Sequence, residues 1–109
     1  TMDENVLATV RRLPGVRSAH LLTPLTSVAG LGDLEASQLS LLSALVGALG
    51  QASEGTGVGA LSEAMIEGLT GSIVARSLGD GIGAVVVTEA KANLGLIRLE
   101  LRKIPRSSP

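Results

Sequence analysis

A chain of 109 residues with 45% apolar residues and a formal net charge of −1 has the size of one domain with a single core and little to spare. It contains no Phe, Trp, Tyr or Cys and one His. That composition excludes base-stacking platforms, disulfides and thiolate chemistry, and metal sites of the usual His or Cys kind. Without a basic stripe, nucleic acid is not an expected partner. The lack of cysteine fits a cytoplasmic protein, and no segment reads as a signal peptide or membrane span. The apolar run Leu39–Leu49 falls short of the about 20 residues a bilayer needs. Thr1 ahead of Met2 reads as a residue left by cloning.

Met2 to Leu13 is expected to be a helix, capped by Asp3, with Val6, Leu7 and Val10 as its apolar stripe and Pro14-Gly15 as its stop. Val16–Thr23 and Ser27–Leu31 read as two strands around a turn at Pro24–Thr26. A long helix follows over Asp33–Ala52, with Asp33 as N-cap and Glu35 where the helix dipole favours negative charge. Leu41, Leu42, Leu45 and Leu49 fall at helical spacing on one stripe. Ala36, Ser40, Ala44, Ala48 and Ala52 place a small residue every four positions along another line, with Gly47 beside it. Small residues let a second backbone approach closely.

Gly55, Gly57 and Gly59 provide a helix stop and a loop. Three strands are then expected: Leu61–Glu67, Ser72–Leu78 and Ile82–Thr88. The last is the most apolar and belongs in the middle of the sheet. Gly79-Asp80-Gly81 is a hairpin signal, because Asp-Gly readily supplies positive φ. Asn93–Ile104 fits both a strand pattern and a helix. Asn93 as cap, the face Leu94, Ile97, Leu101, Ile104, and helix-favouring Leu, Arg, Glu and Lys decide for helix. A frayed tail is expected over 105–109. The order α-β-β-α-β-β-β-α describes an α+β fold, one sheet between helices, in a single domain spanning 1–109.

No catalytic constellation emerges. Gly55-x-Gly57-x-Gly59 and Gly79-x-Gly81-x-Gly83 lack the Gly-Lys-Ser/Thr ending of a phosphate loop, and neither leads into a helix. His20 sits among apolar strand residues with no serine in a G-x-S-x-G elbow, so a structural role outweighs a catalytic triad. Glu63 and Glu67 lie roughly 13 Å apart along a strand, too far for paired-carboxylate glycoside chemistry. Arg98, Arg102 and Lys103 read as the wet side of the last helix.

Glu67-Gly68-x-x-Gly71, Ser72-Ile73-Val74-Ala75, Leu78-Gly79-Asp80-Gly81, Ala84–Val87 and Asn93-Leu94-Gly95-Leu96-Ile97-Arg98, in that order, resemble the signature of the roadblock/LC7 family. The helix ending in Leu13-Pro14-Gly15-Val16, followed by a hairpin and a long helix, agrees in outline. One departure is Thr23-Pro24-Leu25-Thr26-Ser27, where the family commonly has an Asp-x-x-Gly turn. The resemblance implies a five-stranded antiparallel sheet, profilin-like, with the long helix on one face and the terminal helices on the other. It also implies a homodimer joined through the third strand and the long helix. On this chain those parts are Leu61, Glu63 and Met65, with Ala36, Ser40, Ala44, Gly47 and Ala48. Family members regulate Ras-like small GTPases or serve as dynein light-chain and lysosomal scaffolds, and are not enzymes. A non-catalytic adaptor without cofactor or metal is therefore expected, with Gln38 and Gln51 as candidate contacts to a GTPase. A small-molecule sensor module and a structural subunit of a larger complex are the alternatives.

Overall fold

The computed structural model describes residues 2–106, the side chains of residues 2–4 and 6 apart. The expectations for Thr1, for Asp3 as a cap, for Val6 in the stripe and for fraying of 107–109 lie outside the described residues. The elements run α1 (Met2–Arg11), β1 (Val16–Leu22), β2 (Ser27–Leu31), α2 (Ala36–Gly55), β3 (Glu63–Glu67), β4 (Gly71–Gly79), β5 (Ile82–Glu89) and α3 (Leu94–Arg102). The five strands form one antiparallel sheet in the order β2-β1-β5-β4-β3. β5 is central, as its unbroken apolar run required.

Alternation along β1 and β5 divides the interior in two. Ala19 pairs with Val86 and Leu21 with Ala84, and all four join Leu7 and Val10 of α1 and Ile97 and Leu101 of α3 in one core. The intervening pair His20–Val85 and, beside it, Leu22 point to the other face, where Leu22 and Val85 meet Leu42 of α2. The terminal helices thus share one face of the sheet and α2 takes the other.

Local chemistry explains the connections. Asp80 (φ 53°) and Gly81 (φ 75°) link β4 to β5 with positive φ at both central positions, the requirement of a twist-compatible two-residue hairpin. Between β1 and β2, Thr23 holds the turn. Its hydroxyl accepts from the Leu25 and Thr26 amides at 3.2 and 3.1 Å, while its own amide donates to the Thr26 carbonyl at 2.8 Å. The chain enters α3 through Asn93, whose side-chain oxygen accepts from the Leu96 amide at 3.0 Å.

The long helix begins three residues later than its sequence suggests. Asp33 is not its cap. Leu34 packs against the α2-side core, which keeps the lead-in extended, and Glu35 occupies the N-cap position. The Glu35 amide donates to Oε1 of Gln38 at 2.9 Å, the return half of a capping box. The helix also ends later, at Gly55, with Gly57 (φ 80°) and Gly59 (φ 103°) turning the chain toward β3.

Asn93→Ala removes the acceptor for the Leu96 amide and is expected to cost about 1 kcal/mol, read as a lower urea midpoint with an unchanged m-value.

Candidate interaction surface

Helix α2 carries no charged side chain between Glu35 and Glu54. A helix that is uncharged all round belongs in an interior, yet among its twenty residues only Leu42 and Ser43 are buried. Leu39, Leu42 and Val46 supply its sheet-facing side. The expected leucine stripe is therefore corrected: Leu41 is 71% exposed, Leu45 and Leu49 are half-buried, and only Leu42 of the four is in the core. Positions 41 and 42 are about 100° apart around a helix and cannot both be central to one face.

The small-residue line behaves as one surface. Ala36, Ser40, Ala44, Ala48 and Ala52 are all exposed, and Leu41 adds its side chain alongside. Gly47 is not part of it. That glycine is half-buried, and a Cβ there would lie 3.1 Å from Pro24, so its smallness serves the packing of the β1–β2 turn.

β3 is a sheet edge, with no further strand beyond it among the described residues. Its sequence, Glu-Ala-Met-Ile-Glu, has neither lysine nor proline nor a bulge to discourage strand addition. Met65 and Ile66 are 43% and 41% exposed. Leu61 precedes the strand and is half-buried.

Glu63, from the same edge, turns toward α3 and gathers three arginines. Its Oε2 accepts from Arg98 Nη2 at 2.9 Å, and Arg102 approaches in a fork with Nε at 3.1 Å from Oε1 and Nη2 at 3.2 Å from Oε2. Arg76, paired with Glu63 across the β3–β4 ladder, stands further off at 3.8 Å. The hydrogen bond from Arg102 is the largest of the effects that hold the Glu63 carboxyl below its ordinary value, and Arg98 adds to it. Glu63 is thus a clasp between the edge strand and α3. The reading of Arg98 and Arg102 as merely wet charges is corrected with it.

The two glutamines do not share a surface. Both are exposed, but they are thirteen residues apart, about 20 Å along a helix. Gln38 is occupied with capping α2, whereas Gln51 borders an open cleft of about 500 Å³ between α2 (Gly47, Gly50) and the β4–β5 hairpin (Gly79, Gly81, Gly83). His20 is buried, neither ring nitrogen has a hydrogen-bond partner, and burial lowers its pKa. Among the described residues no serine hydroxyl reaches it, so they form no triad. Among the described residues no three His, Cys, Asp or Glu side chains converge as metal ligands do, and no helix is long and apolar enough to cross a membrane.

One five-stranded antiparallel sheet in the order β2-β1-β5-β4-β3, with α2 on one face and α1 and α3 on the other, is the architecture of the roadblock/LC7 fold. Over 94% of this chain and 88% of the other, the structure superposes on Myxococcus xanthus MglB with a TM-score of 0.83 at 21% identity. It superposes on a roadblock/LC7 domain from Streptomyces avermitilis with a TM-score of 0.76 at 18% identity, covering 89% and 86% of the two chains. By sequence, the chain is 35% identical to the uncharacterized protein MJ0310 of Methanocaldococcus jannaschii over 94% of its own length and 92% of the relative's. It belongs to the same family as that protein. No family model matches the chain.

Glu63→Gln keeps the shape of the clasp and removes its charge. Because Glu63 is held below its usual range, its stabilising contribution is present above the unfolded value of 4.5 and is lost as pH falls through the folded one. At pH 7 the variant is expected to lower Tm by a few degrees, the scale of a partly solvent-screened network. In thermal melts that difference should shrink at 1 M salt and vanish at strongly acidic pH.

Proposed function

We propose that this protein is a single roadblock/LC7-like domain that acts as a non-catalytic, cytoplasmic homodimeric adaptor, binding and modulating a Ras-like small GTPase. The observation that carries the reading is the exposed, uncharged α2 row Ala36, Ser40, Leu41, Ala44, Ala48, on a chain whose β3 edge is also open. A helix of this length is about 30 Å long and 10 Å wide, so its face offers on the order of 300 Å². A stable interface takes about 800 Å² from each partner. The helix alone is too small, and the β3 edge with Met65 and Ile66 supplies further apolar area together with unpaired backbone groups. A two-fold partner satisfies both in one closed, self-complementary contact. The GTPase enters through the roadblock/LC7 resemblance and the likeness to MglB, with Gln51 and the neighbouring cleft as the contact region.

The cleft is also the feature that favours a small-molecule module as second reading, since about 500 Å³ lies within the range of ligand sites. Its rim of exposed Gln51, Glu54, Asp80 and Gly81 leaves one side open to water, where ligand pockets enclose most of the ligand.

Ala44→Arg and Ala48→Arg each place a long charged side chain on the small-residue row. Either is expected to convert a dimer to a monomer in light scattering without loss of helicity; a variant that stays dimeric refutes the helix-face contact. Mixing the protein with the small GTPase encoded in its own genome is expected to give a complex and a changed rate of GTP turnover. Absence of binding to any such GTPase, in both nucleotide states, removes the adaptor reading.

A further inference from the structure

The polar groups between β1 and α2 form a set that the interaction surface does not use. Ser18 and His20 alternate along β1 on the face toward α2, and Ser43 is the one polar side chain that α2 buries. All three are at least 97% buried, and Ser18 Oγ, Ser43 Oγ and both imidazole nitrogens lack hydrogen-bond partners. The histidine is built into the packing, because a Cβ on Gly30, its neighbour on β2, would lie 2.5 Å from Nδ1.

Among the described residues, nothing packed around this ring can neutralise a positive charge. α2 is uncharged from Ala36 to Ser53, β2 is Ser-Val-Ala-Gly-Leu, and β5 is uncharged from Ile82 to Thr88. The single charge on β1, Arg17, has the wrong sign. Asp33 and Glu35 stand exposed at the entrance to α2, sharing a cleft with Arg17 and Ser18, and Glu54 lies at the far end of the helix. An imidazolium at position 20 would be buried without a counter-ion, an arrangement proteins avoid.

We propose that His20 is a proton-sensitive latch beneath α2: a proton taken up by its imidazole unseats the helix from the sheet and removes the outer face that the helix presents. α2 is the element to yield, since only two of its residues are buried, while β1 is hydrogen-bonded to strands on both sides. Burial keeps the seated ring less basic than its ordinary 6.5. The seated state is therefore at full stability above pH 6.5 and loses it as pH falls below that value, with the opening constant rising up to tenfold per pH unit. Because His20 is the only histidine and carboxyl groups ordinarily titrate below about 4.5, the window from about pH 4.5 to 6.5 belongs to this one side chain. The latch does not depend on the identity of any partner.

Hydrogen exchange on the full chain at pH 7.5, 6 and 5, corrected for the intrinsic rate, tests the latch against His20→Leu. In the parent protein, amides of Leu39–Gln51 are expected to lose protection roughly tenfold between pH 6 and 5, ahead of those in β4 and β5. In His20→Leu they should hold constant. Equal pH dependence in the two proteins, none in either, or simultaneous loss across the whole sheet overturns the proposal. If the variant does not fold, the parent protein decides, because its one imidazole gives a single Cε1–H resonance. That signal should keep its neutral position until α2 opens. A titration near 6.5 with α2 still protected overturns the latch.

Discussion

A helix of twenty residues, uncharged from Ala36 to Ser53 and seated by only a few side chains, is the constraint to which the other features of this molecule answer. Leu39, Leu42 and Val46 attach α2 to the sheet, and its remaining circumference is alanine, serine, glycine, glutamine and leucine. Solvent would tolerate such a helix more readily with lysines and glutamates on its outer side, and their absence from Ala36 to Ser53 is the physical ground of the proposed contact. The capping through Gln38, the glycines that end the helix and the close approach of Gly47 to Pro24 all fix where that face stands.

The two sides of the sheet are unequal in strength. Twelve buried residues from α1, α3 and three strands, extending to Ile104, make up the core on one side, against four on the α2 side. With no aromatic side chain to fill volume in large units, stability concentrates where two helices can pack together. The α2 side is left as the lightly held half, and unpaired Ser18, His20 and Ser43 lie within it. Glu63 ties the exposed edge to the stronger half, since Arg98 and Arg102 come from α3.

Much of this was legible in the amino-acid order because it is local. Asn93 announces α3, Asp80-Gly81 announces the β4–β5 hairpin, and the run from Ile82 to Thr88 announces a central strand. The small-residue row was legible too, being a strict period of four. What escaped reading depends on pairs distant in the chain or on competing rules. Asp33 is the better cap by residue type, but Leu34 had a place in the core and moved the start to Glu35. Leu41 fits a period and still faces water, because four leucines spread over more than one side of a helix. Glu63 meets arginines 35 and 39 positions away, and no spacing rule connects them. Gln38 and Gln51 are both exposed on α2, as the candidate contacts require, but exposure carries no information about the side of the helix on which each falls.

The two margins of the sheet differ in a way that gives growth a direction. β2, the opposite margin, is five residues long, contains Gly30, is followed by Gly32 at φ 126°, and slips register against β1 at Leu21–Leu22. The register slip breaks the regular pairing of β2, whereas β3, also five residues long, pairs with β4 residue for residue. A chain with two flat margins could add copies without limit and draw out into a filament. In the proposed dimer the regular β3 margin takes the partner strand, and the irregular β2 margin is the one a further copy would have to use.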